Sequence, residues 1–315
     1  MKIENIKIGV LGGGVSAERD ISLASSRQTY KALVEKGLHP VFIDIITKEE
    51  GKVRELILNS NIDLAFIALH GEFGEDGQIQ RILEQLNIAY TGSGPKASAL
   101  AMDKVSSKKI FKAKSISTPN FSTFSKGENI PSNFKYPLVV KPCSSGSSIG
   151  ISIVRNQDSL EAALDLAFSY SDKVILEDYI KGRELTVGIL DDSFLAIVEI
   201  VPKKGYFDFD AKYSYGASDY IVPAQLNNEV KGEVKSVGLA AHEALGCRDF
   251  SRIDIRLNED NLPLVLEVNS IPGLTLNSLL PLSAKACEID FNELIFKMAE
   301  LALPRYKLGA VTGQT

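Results

Sequence analysis

Tryptophan is absent from the 315 residues, and histidine, cysteine and methionine occur only three times each. Cys143, Cys247 and Cys287 are odd in number, far apart and never in a CxxC spacing, so neither a disulfide framework nor a thiolate zinc site is suggested. Such usage suits the reducing cytosol. No apolar run approaches the roughly 18 residues of a membrane span, and Met1-Lys2-Ile3-Glu4-Asn5 leads straight into a strand, so no anchor and no signal peptide are expected. A basic excess is missing too: 35 Lys and Arg stand against 40 Asp and Glu, a net charge of −5, which argues against nucleic acid as a main partner. A local basic pocket for a nucleotide stays compatible with that balance. What is present, 44% hydrophobic and 24% charged residues, is the make-up of an ordinary globular protein with length for two or three domains.

The first ninety or so residues alternate between strand and helix patterns: strands Ile6 to Leu11, Val41 to Ile46, Leu64 to Leu69 and Ile88 to Tyr90, and helices from about Ala17 to Glu35, Glu50 to Leu58 and Gly77 to Leu86. That alternation predicts a parallel sheet covered by helices. The turn cluster Thr91-Gly92-Ser93-Gly94-Pro95 closes it. From Lys96 to about Ile180 helical pieces precede strands Pro137 to Lys141, Ile151 to Val154 and Val174 to Glu177, with a helix opened by Asp158, an α+β pattern. Beyond Gly182 come further strands, a long aromatic loop, a helix near Val230 to Leu245 stopped by Gly246, a hairpin, and a closing helix from Phe291 to Leu301 with Asp290 as its N-cap. The expected boundaries are 1–95, 96–181, 182–306 and a loose tail 307–315.

The hairpin carries the densest chemistry. If Asp254 sits opposite Glu267, then Ile253 faces Val268, Ile255 faces Leu266 and Arg252 faces Asn269, which places the apolar pairs on one face and the oxygen donors on the other. Opposed carboxylates are unfavourable without a cation between them, and an Asp, Glu and Asn set suits Mg²⁺. Taken alone, the same pattern also describes a solvated face of a half-buried hairpin.

Other motifs are weaker singly. Gly12-Gly13-Gly14-Val15-Ser16-Ala17 fits GxGxxA with Asp44 as a ribose acid, but Glu18 and Asp20 in the first helical turn would repel a pyrophosphate there, and could instead receive an ammonium group. His70-Gly71-Glu72-Phe73-Gly74-Glu75-Asp76-Gly77 lies where a parallel sheet ends, a usual ligand position, though a plain helix N-cap at Asp76 also explains it. Lys141 followed by Pro142-Cys143-Ser144-Ser145-Gly146-Ser147-Ser148 joins two strands with small residues that can approach phosphate oxygens, without being a Walker A motif. Glu177 to Glu184 suits a hinge. The aromatics between Pro202 and Tyr220 follow neither a strand nor a helix period, as in an active-site lid or a loop with its own small core.

In this order and spacing, His70-Gly71 with Gly74-Glu75-Asp76-Gly77, the Lys141 loop, the Glu177 hinge, and Leu266-Glu267-Val268-Asn269 through Pro272-Gly273-Leu274-Thr275 closely resemble the D-alanine:D-alanine ligases of the ATP-grasp superfamily, from about Lys7 to Leu301. The resemblance implies an N-terminal Rossmann-like, pre-ATP-grasp α/β domain, then a two-subdomain α+β ATP-grasp fold, and ATP-dependent joining of two D-alanines through an acyl phosphate for peptidoglycan precursors. It implies ATP and two Mg²⁺ ions, with Mn²⁺ as a possible substitute, a cytoplasmic homodimer, and no nucleic-acid or membrane partner.

The resemblance also distributes roles. Glu18, with Ser147 and Tyr213, matches the first D-alanine ammonium site, and His70 belongs to that pocket. Lys104, Lys141 and Lys212 match phosphate ligands; Glu177, Tyr179, Ile180 and Glu184 match base and ribose contacts. Asp254, Glu267 and Asn269 match metal ligands. Arg252 and the Gly273 amide match oxyanion stabilisers, and Ser278 and Leu279 match the second D-alanine site. Asn277 stands where some relatives carry histidine, which puts an acid–base role there in doubt, and Tyr213 keeps the residue of dipeptide-forming members. Other carboxylate–amine ligations, or a non-catalytic ATP-binding module, are the alternatives.

Overall fold

The computed structural model describes residues 2–131, 133–143, 149–203 and 218–305. Strands β1 (Ile8–Gly13), β2 (Val41–Ile45), β3 (Leu64–Ile67) and β4 (Ala89–Tyr90) form a parallel sheet in the order β2-β1-β3-β4, linked by α1 (Arg19–Glu35), α2 (Glu50–Ser60) and α3 (Gln78–Gln85). β1 and β3 are buried along their whole length, which is why they read as unbroken apolar runs rather than alternating ones. Parallel strands end together, so the β1–α1 turn carrying Glu18 and the β3–α3 loop carrying His70 share one sheet edge.

A second, antiparallel sheet has the order β5-β8-β6-β7, from β5 (Phe121–Ser125), β6 (Leu138–Pro142), β7 (Ser152–Val154) and β8 (Lys173–Asp178). It is reached through α4 (Pro95–Met102) and α5 (Lys104–Ala113), the latter capped by the Asp103 side chain accepting from the Val105 and Ser106 N–H groups. α6 (Leu160–Phe168) packs on this sheet through Leu160, Ala163 and Ala167. Asp158 does not open it directly: a 3-10 turn over Gln157–Ser159 comes first, capped by the Asn156 side chain accepting from the Ser159 N–H, and α6 follows from Leu160.

The third sheet runs β12-β11-β9-β13-β14, with β10 (Ser193–Phe194) beside β9. Its strands are β9 (Gly182–Leu190), β11 (Val198–Pro202), β12 (Ser218–Ile221), β13 (Phe250–Asn258) and β14 (Pro263–Asn269). α7 (Asn228–Leu245) covers one face through Val230, Val234, Ala241 and Leu245, starts at a side-chain cap from Asn227 and stops at Gly246 with φ +74°. β9 begins at Gly182 because φ there is +143° and a Cβ would lie 2.0 Å from the Leu257 carbonyl oxygen. The β13–β14 register pairs Asp254 with Glu267, Ile253 with Val268 and Arg252 with Asn269, as expected. Ile255, however, lies opposite Val265, not Leu266: a β-bulge between Asp254 and Ile255 gives β14 one extra residue and turns Leu266 toward the cleft between the second and third sheets.

The beginning and end of the described chain share a core. Val10, Phe66 and Leu33 are buried in one cluster with Phe250, Leu280, Leu294, Ile295 and Met298, the last three from α9 (Phe291–Glu300), which follows α8 (Leu279–Lys285). Each such side chain contributes about 1.5–3 kcal/mol when fully buried. Lys36 pairs with Glu293, and Arg305 pairs with Asp249 while donating to the Tyr90 carbonyl at 2.9 Å. The first sheet's functional edge is thereby held against the strand that carries Arg252 and Asp254.

Candidate active site

Two cavities meet at one carboxylate. The larger, 460 Å³, is lined by Glu18, His70 and Glu75 from the first sheet's edge, by Met102 and Lys104 between α4 and α5, and by Arg252, Glu267 and Asn269 from the hairpin. The loop after β14 adds Gly273, Ser278 and Leu279. The smaller slot, 100 Å³, lies between the second and third sheets, with Val139, Lys141 and Ile153 on one side and Glu184, Asp254, Arg256 and Leu266 on the other. Glu177, Tyr179 and Ile180 close its end. Glu267 lines both spaces. Ser147, Lys212 and Tyr213 lie outside the described residues, whereas Tyr220 beyond the aromatic loop reaches the larger cavity.

At the hairpin the charges are compensated by protein cations. Arg252 donates from Nε and Nη2 to the two oxygens of Asp254 at 2.9 and 2.8 Å, and Lys104 Nζ is 3.3 Å from Glu267 Oε2. Asp254 also accepts from Thr186 Oγ1 at 2.7 Å and from Asn269 Nδ2 at 3.2 Å. Among the described residues no group of three or more His, Cys, Asp or Glu side chains is placed to hold a metal ion, so any metal here relies on two carboxylates and an amide. That all-oxygen set, carrying two negative charges on one sheet face, fits a hard divalent cation that also keeps water or phosphate ligands.

In the slot, Glu177 is buried between two lysines. Lys141 pairs with its Oε1 and Lys108, itself fully buried on α5, lies 3.0 Å from its Oε2. Burial alone would raise the Glu177 carboxyl, but the charges of Lys108 and Lys141 overcome it and hold the group below its ordinary range. Burial pulls Lys108 down to about 8. Lys108 faces Oε2 as Lys141 faces Oε1, so each carboxylate oxygen has a lysine beside it. A carboxylate at the edge of a narrow slot walled by Val139, Ile153 and Leu266 fits a ligand that brings an N–H or O–H donor on a flat apolar ring, as a nucleotide base does. Arg256 adds a guanidinium 3.3 Å from Glu184 Oε2 and 5.9 Å from the Tyr179 ring centroid. Cys143, at the end of β6, is buried, and burial pushes its thiol up to about 11, which leaves little thiolate at neutral pH.

On the first sheet's edge, Gly71 has φ +73° and a Cβ there would sit 2.6 Å from Glu18 Oε2, so glycine is what lets this carboxylate lie against the loop. His70 links three elements: its Nδ1 is 3.2 Å from Glu75 Oε1 and its Nε2 2.9 Å from Ser25 Oγ, which in turn accepts the Leu274 N–H at 3.3 Å beside Gly273. Burial raises the Glu75 carboxyl pKa, with the His70 bond acting in the opposite direction. Asp44 is held bidentately by Arg19 at 2.9 and 2.8 Å, which gives it a protein partner in place of a ribose.

Lys108, Thr186, Arg256 and Glu75 were not singled out as site residues from the sequence. Lys108 lies one helical turn after Lys104, a same-face spacing that could have drawn notice. Thr186 and Arg256 become visible only once β9 is known to flank β13, where Thr186 pairs with Asp254 and Glu184 with Arg256.

A parallel-sheet unit followed by two antiparallel sheets that close on a slot, with acids and lysines at its mouth, defines an ATP-grasp enzyme. Family models described as D-ala D-ala ligase N-terminus and C-terminus match residues 46–93 and 110–300. The chain is 42% identical over 304 residues to a D-alanine–D-alanine ligase of Geotalea uraniireducens, covering 96% of this chain and 97% of that one. It is 46% identical over 298 residues to that of Pelobacter propionicus, covering 93% and 94%. The crystal structure of the Bacillus anthracis D-alanine–D-alanine ligase complexed with ATP superimposes with TM-score 0.85 at 34% identity, covering 96% of this chain and 99% of that one. The VanG D-Ala:D-Ser ligase of Enterococcus faecalis does so with TM-score 0.80 at 28% identity, covering 95% and 99%. The chain belongs to the D-alanine–D-alanine ligase family.

Proposed function

We propose that this chain joins two D-alanine molecules into D-alanyl-D-alanine, converting ATP to ADP and phosphate, and so supplies a peptidoglycan precursor. The observation that carries the reading is the position of Glu267 in the lining of both a slot suited to a nucleotide and a larger cavity that Glu18, His70 and Glu75 also line. Phosphates entering from the slot and a carboxylate entering from the cavity would meet there.

Glu18, with His70, Ser147 and Tyr213, holds the ammonium group of the first D-alanine, which directs its carboxylate toward Glu267. Glu177, Tyr179, Ile180 and Glu184 hold base and ribose, while Lys104, Lys141 and Lys212 neutralise phosphate charge. Asp254, Glu267 and Asn269 would hold Mg²⁺, which when bound offsets charge on the transferring phosphoryl group. An oxygen of the first D-alanine attacks the γ-phosphorus; ADP leaves and an acyl phosphate forms. The uncharged amine of the second D-alanine, positioned by Ser278 and Leu279, then attacks the acyl carbon. Arg252, already oriented by its two bonds to Asp254, and the Gly273 N–H stabilise the oxyanion, and phosphate departs as the peptide bond closes. The segment between β11 and β12, whose residues 204–217 lie outside the described ones, is assigned the lid that keeps water from the acyl phosphate.

The same reading assigns residues 1–95 to a substrate-binding unit, 96–181 and 182–306 to the two halves of the grasp, and 307–315 to a tail. It takes the protein as a cytoplasmic homodimer, supported by the resemblance; no described helix is long and apolar enough to cross a membrane. The decisive experiment supplies ATP, Mg²⁺ and D-alanine, follows ADP release and identifies the product by mass. ADP release that depends on D-alanine, with the dipeptide as product, supports the reading; Glu267→Gln retaining full turnover would remove its centre.

A further inference from the structure

Two lysines converge on Glu177, but only Lys141 faces the slot. Lys108 is absent from the slot's lining and is anchored from behind: its Nζ donates to Thr118 Oγ1 at 2.7 Å and lies 5.7 Å from the Phe121 ring centroid. Thr118 in turn donates to the Val265 carbonyl at 2.8 Å, which ties the assembly to β14. The other charged groups facing Lys108 are Lys141 on β6 and Glu267 on β14, and Lys112 on its own helix stacks over the same Phe121 ring at 4.7 Å.

One carboxylate between two ammonium groups leaves a surplus positive charge where water is excluded. A polyphosphate arriving in the slot draws on Lys141. Were Lys141 the only partner, Glu177 would then be a desolvated carboxylate with a weakened counter-charge, and it would take up a proton. Lys108 prevents this, because its anchors lie on the side away from the slot. The protonation state of Glu177 decides what it recognises: an ionised carboxylate only accepts hydrogen bonds, whereas a protonated one also donates. Adenine offers an amino donor at the position where hypoxanthine offers a carbonyl acceptor.

We propose that Lys108 is a positioning residue that keeps Glu177 ionised while nucleotide is bound, and that it thereby sets the preference for a purine carrying a 6-amino donor over one carrying a 6-oxo acceptor. The inference rests on the reading that Glu177 meets the base.

Binding of ATP and of ITP, each with Mg²⁺, is measured by calorimetry at about pH 6.5 and about pH 9 for the parent protein and for Lys108→Met, Lys108→Arg and Glu177→Gln. Loss of a charge-assisted contact corresponds to about tenfold or more in affinity. Lys108→Met is expected to lose about that factor of ATP over ITP preference at the lower pH and to recover it at the higher, where Glu177 ionises unaided. Lys108→Arg should keep the preference, and Glu177→Gln should lose it at both pH values. A Lys108→Met protein with the parent preference at the lower pH, or with an equal loss at both, overturns the proposal and leaves the base contact standing. Unchanged preference in Glu177→Gln instead removes the base contact itself, and the role of Lys108 with it. If Lys108→Met does not fold, Thr118→Val, which loosens the anchor and keeps the charges, should show a smaller loss with the same pH pattern; no loss counts against the idea.

Discussion

Thr186→Val deletes one hydroxyl from the strand beside the acid pair and tests whether Asp254 is a metal ligand or only a partner for Arg252. Thr186 is buried on β9, and its Oγ1 lies 2.7 Å from Asp254 Oδ1 and 3.1 Å from the Ile253 carbonyl oxygen. Valine fits the strand and nearly preserves volume, so the change is confined to a lost charge-assisted bond, worth about 1.5–3 kcal/mol. Support of this kind behind a metal ligand is worth about 10–100-fold in metal affinity, and at about 1.4 kcal/mol per decade the two figures coincide. The expected result is a rise of about one to two decades in the Mg²⁺ concentration that half-activates ADP release, read by titrating Mg²⁺ at saturating ATP and D-alanine. Thermal unfolding without metal should move down by only a few degrees. An unchanged Mg²⁺ midpoint alongside a lowered unfolding temperature would show that the hydroxyl supports the Arg252–Asp254 pair alone, and the metal assignment would fail.

Gly71→Ala places a methyl group 2.6 Å from Glu18 Oε2 at a left-handed position, where a side chain costs about 1–2 kcal/mol. We expect the D-alanine KM to rise about tenfold or more with ATP binding unaltered, as read from initial rates; an unchanged D-alanine KM would separate Glu18 from substrate. His242, packed in α7 with its Nδ1 2.7 Å from Ser251 Oγ, has its pKa lowered from 6.5 by burial. The unfolded chain therefore holds this proton more tightly, so the associated stability is complete above pH 6.5 and is lost as pH falls through the folded value. His242→Gln should flatten the decline in urea midpoint between about pH 7 and about pH 5, and an equally steep decline would place the titrating group elsewhere.

Patterns with a short repeat were legible in the sequence. The buried runs of β1 and β3, the cap at Asp290, the stop at Gly246 and the Asp254–Glu267 register all depend on neighbours within one element or one hairpin. The bulge was not legible, because Leu266 is apolar on either face and only the third sheet's cleft distinguishes them. β5 escaped because Phe121-Ser122-Thr123-Phe124-Ser125 is a weakly apolar edge strand paired with β8 alone. The hinge position of Glu177 was legible, but its burial between Lys108 and Lys141 was not, because it joins three elements distant in sequence. Thr186 was hidden for the same reason, since a lone threonine in a strand has no local mark of the carboxylate it supports.

The shared core between the first sheet and α9 also constrains how the chain is made. Val10 and Phe66 emerge from the ribosome more than two hundred residues before Leu294, Ile295 and Met298, which complete their cluster. Until then the sheet carries an uncovered apolar face, so the first ninety residues synthesised alone should be a chaperone client rather than an independent folding unit. Folding of the end that carries Glu18 is thus finished by the last helix translated among the described elements, and a ribosome that stalls before Phe291 would release a chain whose Glu18 edge has no base to stand on.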